Sequence, residues 1–440
     1  MRSSPSHLFW RLPLLLAFLA AVPTARGEEA LPKALFDYVA KPQPDFHWTI
    51  KGTVSTGDGT VTEVRLVSQK WQDIIWRHAL YIYTPKGLAL PNHCLLFITG
   101  GRTDGSPSMG DVTMGMQLAK IAGSAVAVLH HVPNQPLLGD HVEDDLITET
   151  MLKYLKTGDA NWPLLFPMVN SAVKAMDAIQ QMGEKEWKRP IKTFVVTGAS
   201  KRGWTTWLTS AADSRVIGLA PMVIDTLNFA PQMKHQMEMW GEFSEQIKDY
   251  VDKGLIEVMQ KHPEIPLWKW TDPYTYREKI TQPKLIVNGA NDRYWTVDAL
   301  NYYWNDLKGP KWVYYSPNGG HNLGPGRDRA LANIGVFSRL TAEGKSLPKL
   351  EWSFEKSAGG QRLRIKSETP PKEVLVWTAQ SPTKDFRPAK WTSAPMQKDA
   401  DGWFVDVPKP AEGHYAIHGA VTYEVAKDVQ ITLSTQMSWE

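Results

Sequence analysis

Residues 192–204 read KTFVVTGASKRGW and combine a strand, a sharp turn and a helix. The apolar run Phe194-Val195-Val196 is typical of a buried strand, and it breaks at Gly198. After Ser200 the apolar residues recur at helical spacing from Trp204 to Ala211. A serine at such a turn projects its hydroxyl above the sheet, next to a helix N-terminus that can stabilise an oxyanion. The stretch therefore predicts a nucleophile elbow with Ser200 as the nucleophile.

The glycine spacing differs from the usual Gly-x-Ser-x-Gly elbow signature. Gly198 and Ser200 fit, but Arg202 stands in the fifth place and Gly203 follows one residue late. The alternative for this stretch alone is structural, because a serine after a glycine is also an ordinary helix N-cap. The strands before and after it have to decide between the two interpretations.

The N-terminus predicts a secretory signal peptide over residues 1–27. A basic start precedes a short apolar core from Leu12 to Val22, and small residues follow near Ala25 and Gly27. We therefore expect a secreted or periplasmic protein; an uncleaved anchor is the alternative. No later segment is long and apolar enough to cross a bilayer, so we expect no stable membrane span after removal of the leader.

Charge and cysteine content restrict the possible partners. The chain has 49 Lys and Arg against 46 Asp and Glu, and three of the arginines (Arg2, Arg11, Arg26) belong to the leader. The remainder is balanced, which removes any global electrostatic argument for binding nucleic acid or anionic membranes. Cys94 is the only cysteine, so no internal disulfide is possible. Composition leaves the oligomeric state open.

A central sheet is predicted to begin after a proline- and aromatic-rich arm at residues 30–50. Two strand-like runs, 61–71 and 74–83, suit a hairpin, and the continuously apolar run 94–98 suits a buried parallel strand. Gly100 and Gly101 follow that strand directly. We predict that the N–H of Gly101 or Arg102, together with that of Lys201, forms an oxyanion hole. The alternative is a glycine turn selected only for its dihedral angles.

Two further polar residues come directly after later core strands. The runs 216–223, 284–288 and 312–315 read as strands; Asp292 follows the second of them and His321 the third. Ser200, Asp292 and His321 thus occur in the Ser, acid, His order of an α/β-hydrolase triad. Structural explanations, a turn-forming aspartate and a loop histidine, are the alternatives. Asp298 is the weaker candidate acid, because it lies in a predicted helix over 297–307.

The segment 226–278 is rich in Met, Trp and His and is predicted to form a helical cap over the site. Trp240, Trp268 and Trp270 are candidate substrate contacts, and the alternative is that they form the cap's own core. Lys201 and Arg202 suggest recognition of an acidic substrate or, equally, salt bridges on a helix. The acids at 143–145 have no metal-binding spacing and fit a helix N-terminus, so we expect no metal and no cofactor.

From residue 346 the pattern changes to short strands with frequent turns. Residues 346–440 are predicted to form a small β-sandwich after a hydrolase domain at 28–345. A carbohydrate-binding face on this module is an alternative, favoured if Trp377, Trp391 and Trp403 share one sheet face.

The elbow GASKRGW at 198–204, NGAND at 288–292 and Gly320-His321 resemble the PhoPQ-activated pathogenicity-related protein family. The late glycine is also similar to the elbow of glucuronoyl esterases. The resemblance implies an exported α/β-hydrolase fold, a mostly parallel sheet flanked by helices with a helical cap and a C-terminal β-sandwich. We expect a serine hydrolase that cleaves an ester or amide of a small molecule, peptide or saccharide through Ser200, His321 and Asp292. A non-catalytic binding or signalling protein on the same scaffold is the alternative.

Overall fold

The computed structural model describes Met1 and residues 30–103, 105 and 109–440. The predicted signal peptide lies outside the described residues apart from Met1, so it stays a prediction. Pro32–Glu440 form one compact unit.

Helices and strands alternate through the first three quarters of the chain, and strands dominate the last quarter. The α-helices of the described residues are α1 (Ala34–Val39), α2 (Met109–Ala122), α3 (Glu143–Thr157), α4 (Leu165–Lys185), α5 (Lys201–Ala212), α6 (Phe229–Trp240), α7 (Lys248–Asp252), α8 (Leu255–Lys261), α9 (Pro266–Thr271) and α10 (Arg327–Ala342). The strands are β1 (His47–Ser55), β2 (Gly59–Trp71), β3 (Ile74–Pro85), β4 (His93–Ile98), β5 (Ala125–Leu129), β6 (Thr193–Ala199), β7 (Val216–Met222), β8 (Lys284–Gly289), β9 (Lys311–Ser316), β10 (Leu350–Ser357), β11 (Gly360–Ser367), β12 (Glu373–Ser381), β13 (Thr392–Pro395), β14 (Gln397–Asp399), β15 (Gly402–Pro408), β16 (His414–Ala426), β17 (Val429–Ser434) and β18 (Ser438–Trp439).

The main sheet has the order β1-β2-β3-β5-β4-β6-β7-β8-β9 in its first part. Strands β1 to β3 form an antiparallel meander, and β3 pairs antiparallel with β5. From β5 to β9 all neighbours are parallel. The predicted arm at residues 30–50 contributes α1 and the first four residues of the edge strand β1.

Helices cover both faces of the parallel strands. Every residue of β4, β5 and β8 is buried, as continuous apolar runs require in a sheet covered on both sides. Helices α2 and α10 pack against each other over one face, and α1, α4 and α5 pack together over the other. Because β4, β6, β8 and β9 run parallel, their carboxyl ends lie at the same edge of the sheet, and the predicted site residues follow these ends.

The predicted helix over 297–307 is wrong. Two 3-10 turns, Ala299–Tyr302 and Trp304–Asp306, occupy this segment, separated by Tyr303 at φ −146°. Aromatic residues have weak helix propensity, and the buried Tyr303 hydroxyl donates to Asp225 Oδ1 at 2.5 Å. A tertiary contact thus fixes a non-helical residue where the sequence pattern favours a helix.

The strands after residue 346 form two facing sheets. Strands β12, β13, β16, β17 and β18 continue the main sheet, because Ser434 of β17 pairs with Val313 of β9. Strands β10, β11, β14 and β15 form a separate antiparallel sheet. Leu363 and Ile365 of this second sheet pack over Gly419 of the first. The C-terminal sandwich therefore shares one layer with the hydrolase sheet.

The three tryptophans of the carbohydrate-binding alternative do not share a face. Trp391 is only 1% exposed and packs against His418 at 5.2 Å between ring centroids. Trp377 lies on β12 of the main sheet, whereas Trp403 lies on β15 of the second sheet. The structure removes this argument for carbohydrate binding.

None of the helices within the described residues is both long and apolar enough to cross a membrane.

Candidate active site

Ser200 occupies the sharp turn between β6 and α5. Its dihedral angles are φ 58° and ψ −125°, a region that non-glycine residues adopt only when their surroundings hold them there. The Ser200 N–H donates to Met222 O at 2.9 Å, and the Ser200 carbonyl accepts from Trp204 N at 2.9 Å. The predicted serine therefore has the strained backbone of a nucleophile elbow.

The late glycine, Gly203, explains why the unusual spacing is compatible with this turn. A Cβ at Gly203 would lie 2.7 Å from Ile224 Cγ2 and 2.8 Å from Met222 O. Only glycine lets the first turn of α5 approach the end of β7 so closely. Gly203 thus meets the packing requirement that the second glycine of the usual signature meets, and position 202 is left for a long side chain.

Arg202 extends from that position into an internal ion pair. Its guanidinium donates to both carboxylate oxygens of Glu143, at 2.7 and 2.8 Å, and its Nε donates to Val132 O at 2.5 Å. It also covers Gly100, where a Cβ would lie 2.1 Å from Arg202 Nη2. The residue is 7% exposed. Arg202, a candidate substrate contact from the sequence, therefore joins the elbow, the loop after β4 and the start of α3.

The Lys201 ammonium group also pairs with carboxylates inside the protein. Its Nζ donates to Asp144 Oδ2 at 3.0 Å and lies 3.3 Å from Glu143 Oε2. Burial alone raises the pKa of Glu143, but the hydrogen bond from Arg202 and the charges of Arg202 and Lys201 outweigh it and lower that pKa to about 2. The two cations therefore neutralise internal carboxylates, which takes away the argument that they recognise an acidic substrate.

His321 and Asp292 lie side by side in the loops after β9 and β8. The two loops touch, because a Cβ at Gly289 would lie 2.3 Å from Gly320 O, and Asn291 N donates to Gly319 O at 2.9 Å. His321 Nδ1 is 2.8 Å from Asp292 Oδ2. Since a carboxylate only accepts, this contact places the proton on Nδ1 and leaves the Nε2 lone pair to act as a base.

The second nitrogen of His321 has no hydrogen-bond partner among the described residues. Its Nε2 is buried and forms no hydrogen bond within the described part of the chain, so Ser200 and His321 are not hydrogen-bonded in this structure. The imidazole ring stacks on Tyr294, with 4.3 Å between ring centroids. The backbone N–H of Tyr294 also donates to Asp292 Oδ1 at 3.0 Å, so Tyr294 holds both members of the pair.

Asp298, the weaker candidate acid, pairs with a different histidine. Its Oδ1 lies 2.7 Å from His235 Nε2 of the cap helix α6, and its Oδ2 accepts from Trp439 Nε1 at 2.8 Å. Burial raises the pKa of Asp298, and the hydrogen bond and charge of His235 more than reverse this effect, so that the pKa is lowered. Asp298 thus links the cap to the C-terminal strands, and Asp292 is the aspartate that reaches His321.

The three predicted oxyanion donors lie on two segments next to Ser200. Gly101 and Arg102 follow β4, and Gly101 has φ 103°, a conformation suited to glycine. His131 N donates to Gly100 O at 2.9 Å, which ties this loop to the end of β5. Lys201 is the first residue of α5, where a backbone N–H has no acceptor inside its own helix.

Two cavities meet at the elbow, the cap cavity and the histidine-side cavity. The cap cavity is bounded by α3, α5 and the cap, and Ser200 and Lys201 are part of its wall. The histidine-side cavity is lined by His321, Gly101 and Arg102, among others, and by the neighbours of Ser200, namely Ala199 and Arg202. Ser200 therefore stands at the boundary between them.

Of the three predicted cap tryptophans, only Trp268 lines the cap cavity. The Arg387 guanidinium lies over the Trp240 ring, with its Cζ 4.0 Å from the ring centroid. Trp270 packs against Tyr154, with 5.2 Å between ring centroids. Neither Trp240 nor Trp270 lines the two cavities at the elbow. Both side chains are half-buried and pack against residues outside the cap, so the interpretation that they form the cap's own core does not describe them either.

Sequence reasoning missed a polar network under Ser200. Asp144 Oδ2 accepts from Lys201 Nζ and from the Tyr294 hydroxyl at 3.0 Å each, and Asp144 Oδ1 accepts from the Tyr250 hydroxyl at 2.8 Å. Burial and the Asp144 charge raise the pKa of both tyrosines. The acids at the start of α3 were a visible signal, but the helix dipole explains them equally well.

No three His, Cys, Asp and Glu side chains of the described residues gather closely enough to hold a metal ion.

The strand order, the strained serine after β6 and the His-Asp pair after β9 and β8 define the α/β-hydrolase class of folds, as predicted. Residues 35–387 match the PhoPQ-activated pathogenicity-related protein family, and the chain belongs to that family.

A curated relative agrees with the family assignment. The chain is 31% identical over 375 residues to autocrine proliferation repressor protein A of Dictyostelium discoideum, which covers 80% of this chain and 76% of the relative.

Solved structures similar to this chain include two esterases. An acetyl xylan esterase from Paenibacillus sp. R4 aligns with a TM-score of 0.49 at 16% identity, over 69% of this chain and 90% of that chain. A glucuronoyl esterase from Solibacter usitatus aligns with a TM-score of 0.42 at 13% identity, over 70% and 91% of the two chains.

Proposed function

We propose that this protein is an exported serine hydrolase that cleaves an ester or amide through an acyl-enzyme. The observation that carries the proposal is the state of His321, whose Nδ1 is held by Asp292 while its buried Nε2 has no partner among the described residues. A general base requires this arrangement, one nitrogen oriented by a carboxylate and the other available for a proton.

In this mechanism Ser200 Oγ attacks the substrate carbonyl carbon while His321 Nε2 accepts the serine proton. Asp292 stabilises the imidazolium that forms, and the N–H groups of Lys201 and of Gly101 or Arg102 stabilise the oxyanion. His321 then protonates the leaving group. A water molecule, deprotonated by His321, attacks the acyl-enzyme and releases the acid.

Replacement of single residues tests these roles through hydrolysis of p-nitrophenyl esters by the purified protein. We expect Ser200→Ala to remove turnover and Asp292→Asn to lower kcat by about 10³- to 10⁴-fold, because the histidine then loses its oriented tautomer. Asp298→Asn is the matched control and should retain kcat within about tenfold of wild type, since Asp298 binds His235 instead. Turnover retained by Ser200→Ala, or lost only in Asp298→Asn, would contradict the assignment.

The second candidate function is a signalling or binding role without turnover. Two observations favour it: the Dictyostelium relative is named as a proliferation repressor, and Ser200 and His321 are not hydrogen-bonded to each other. It predicts normal folding, no ester turnover and no reaction of Ser200 with serine-directed reagents.

Export rests on the signal-peptide pattern at residues 1–27. Expression of the full chain and N-terminal sequencing of the exported protein tests it. A mature N-terminus close to residue 28 is expected, and retention of the intact chain in the cell contradicts it.

A further inference from the structure

The cap cavity is apolar over nearly all of its wall and reaches Ser200. The cap supplies most of this wall through side chains on α6, α8 and α9 and the turn before α7, and α3, α5 and the loops after β7 and β8 supply the rest. The apolar side chains are Met151, Trp204, Ile224, Phe229, Met233, Ile247, Leu255, Ile256, Met259, Trp268 and Trp295. A ligand group that fills this space is therefore apolar.

The polar groups that face the cavity near Ser200 are bonded to one another. Asp144 accepts from Lys201, Tyr250 and Tyr294, so its charge is compensated inside the protein. A buried carboxylate with three donors needs no partner from a ligand, so an apolar chain beside Asp144 leaves this carboxylate and its three donors paired.

The position of the cap cavity relative to His321 indicates which part of the substrate the cap cavity binds. In acyl transfer the histidine protonates the leaving group, so the leaving group lies on the histidine side of the carbonyl and the acyl group on the opposite side. His321 lines the histidine-side cavity together with polar residues such as Asn322 and Arg327, whereas Ser200 lines the cap cavity.

We propose that the cap cavity binds an apolar acyl group of the substrate, and that the alcohol or amine departs through the histidine-side cavity. The proposal rests on the proposed function and narrows it: the substrate is an ester or amide of a hydrophobic acid, with an acyl chain well beyond acetyl. It also gives the Met- and Trp-rich cap a direct role in substrate selection.

Kinetics with a series of p-nitrophenyl esters from acetyl to octanoyl test the proposal. Each methylene buried in the cavity should raise kcat/KM about fourfold, until the cavity is filled. Met233→Trp on α6 should shift the optimum to shorter chains, because Met233 lines the cavity and is 5% exposed. Met237→Trp is the matched control, one turn further along the same helix, outside the cavity and 41% exposed.

Ile256→Trp is a second cavity-filling variant on a different cap helix, in case Met233→Trp fails to fold. Its circular dichroism spectrum and thermal melt should match those of wild type while its chain-length optimum shortens. A kcat/KM that is flat or falls from acetyl to hexanoyl in a wild-type protein that turns these esters over would overturn the acyl-pocket proposal and leave the hydrolase proposal standing.

Binding without turnover separates the two proposals. Methyl ketones from butanone to decan-2-one are neutral mimics of an acyl group, and their binding to Ser200→Ala can be followed by the fluorescence of the cavity tryptophans or by calorimetry. Tighter binding with each added methylene, weakened by Met233→Trp and unchanged by Met237→Trp, supports the cavity assignment even if no ester is hydrolysed. Affinity that is independent of chain length overturns it.

Discussion

The ion pair between Arg202 and Glu143 should contribute measurably to stability, and Arg202→Met tests this. Arg202 fills the place where the elbow signature has glycine, and its side chain is 9% exposed, with two hydrogen bonds to Glu143. Methionine keeps most of the volume and removes the charge. Glu143 then keeps Lys201, 3.3 Å away, as its nearest cation.

The magnitude follows from the lowered pKa of Glu143. A pKa lowered from 4.5 to about 2 corresponds to roughly 3 kcal/mol favouring the ionised carboxylate. Because the Glu143 side chain is 37% exposed and Lys201 supplies part of the effect, solvent screening leaves roughly 1 to 2 kcal/mol for the Arg202 pair.

A double-mutant cycle with Glu143→Gln measures this coupling by urea unfolding at pH 7 and pH 4. The folded pKa of Glu143 lies below its unfolded value, so its stabilisation is complete above the unfolded value near 4.5 and is lost as pH falls toward 2. The coupling energy should therefore be about 1 to 2 kcal/mol at pH 7 and smaller at pH 4. A coupling near zero at pH 7, or one that grows at pH 4, would show that the Arg202–Glu143 pair does not stabilise the folded protein in this way.

Three further predictions concern single residues. Gly203→Ala should cost about 1 to 3 kcal/mol of unfolding free energy and reduce ester turnover, because the new Cβ would lie 2.8 Å from Met222 O. Gly52→Ala is the control, because a Cβ at Gly52 would have no neighbouring atom within 4 Å. Equal melting temperatures of the two variants would contradict the prediction. Burial, with the charges of Asp292 and Asp298, raises the pKa of Asp225 to about 7 despite the Tyr303 hydrogen bond. The stability of the wild-type protein should therefore fall as pH rises from about 4 to 7. Thermal melts of Asp225→Asn should lack this fall, and the same pH profile in both proteins would contradict the prediction. Burial raises the pKa of the Cys94 thiol to about 12, so Ellman's reagent at pH 8 should react with it only after denaturation, and rapid reaction of the folded protein would contradict its burial.

The sequence indicates where the candidate site residues lie in the fold because each of them follows a buried strand. Apolar runs mark β6, β8 and β9, and the carboxyl ends of parallel strands meet at one edge of the sheet. The pattern thus predicts that Ser200, Asp292 and His321 lie at the same edge of the sheet, although Ser200 and His321 are 121 positions apart in the chain. The turn residues in the sequence indicate where each strand ends, and the parallel arrangement of the strands places these ends at one edge of the sheet.

Long-range partners of charged and aromatic side chains are not visible in the sequence pattern. Glu143 and Arg202 are 59 residues apart in the chain, and nothing in the local sequence of either residue indicates the other. The same limit applies to Tyr303, whose bond to Asp225 replaces a predicted helix by two 3-10 turns. The continuation of the main sheet by β17 depends on the pairing of Ser434 with Val313, which no local period shows.

Covalent labelling of Ser200 tests whether the elbow presents a reactive nucleophile. The purified protein is incubated with a fluorophosphonate probe, digested, and the labelled peptide is mapped by mass spectrometry. We expect a single labelled site at Ser200, no label in Ser200→Ala, and labelling of Asp292→Asn slowed by about 10³-fold or more. An unlabelled wild-type protein, or equal labelling of wild type and Ser200→Ala, would contradict this expectation.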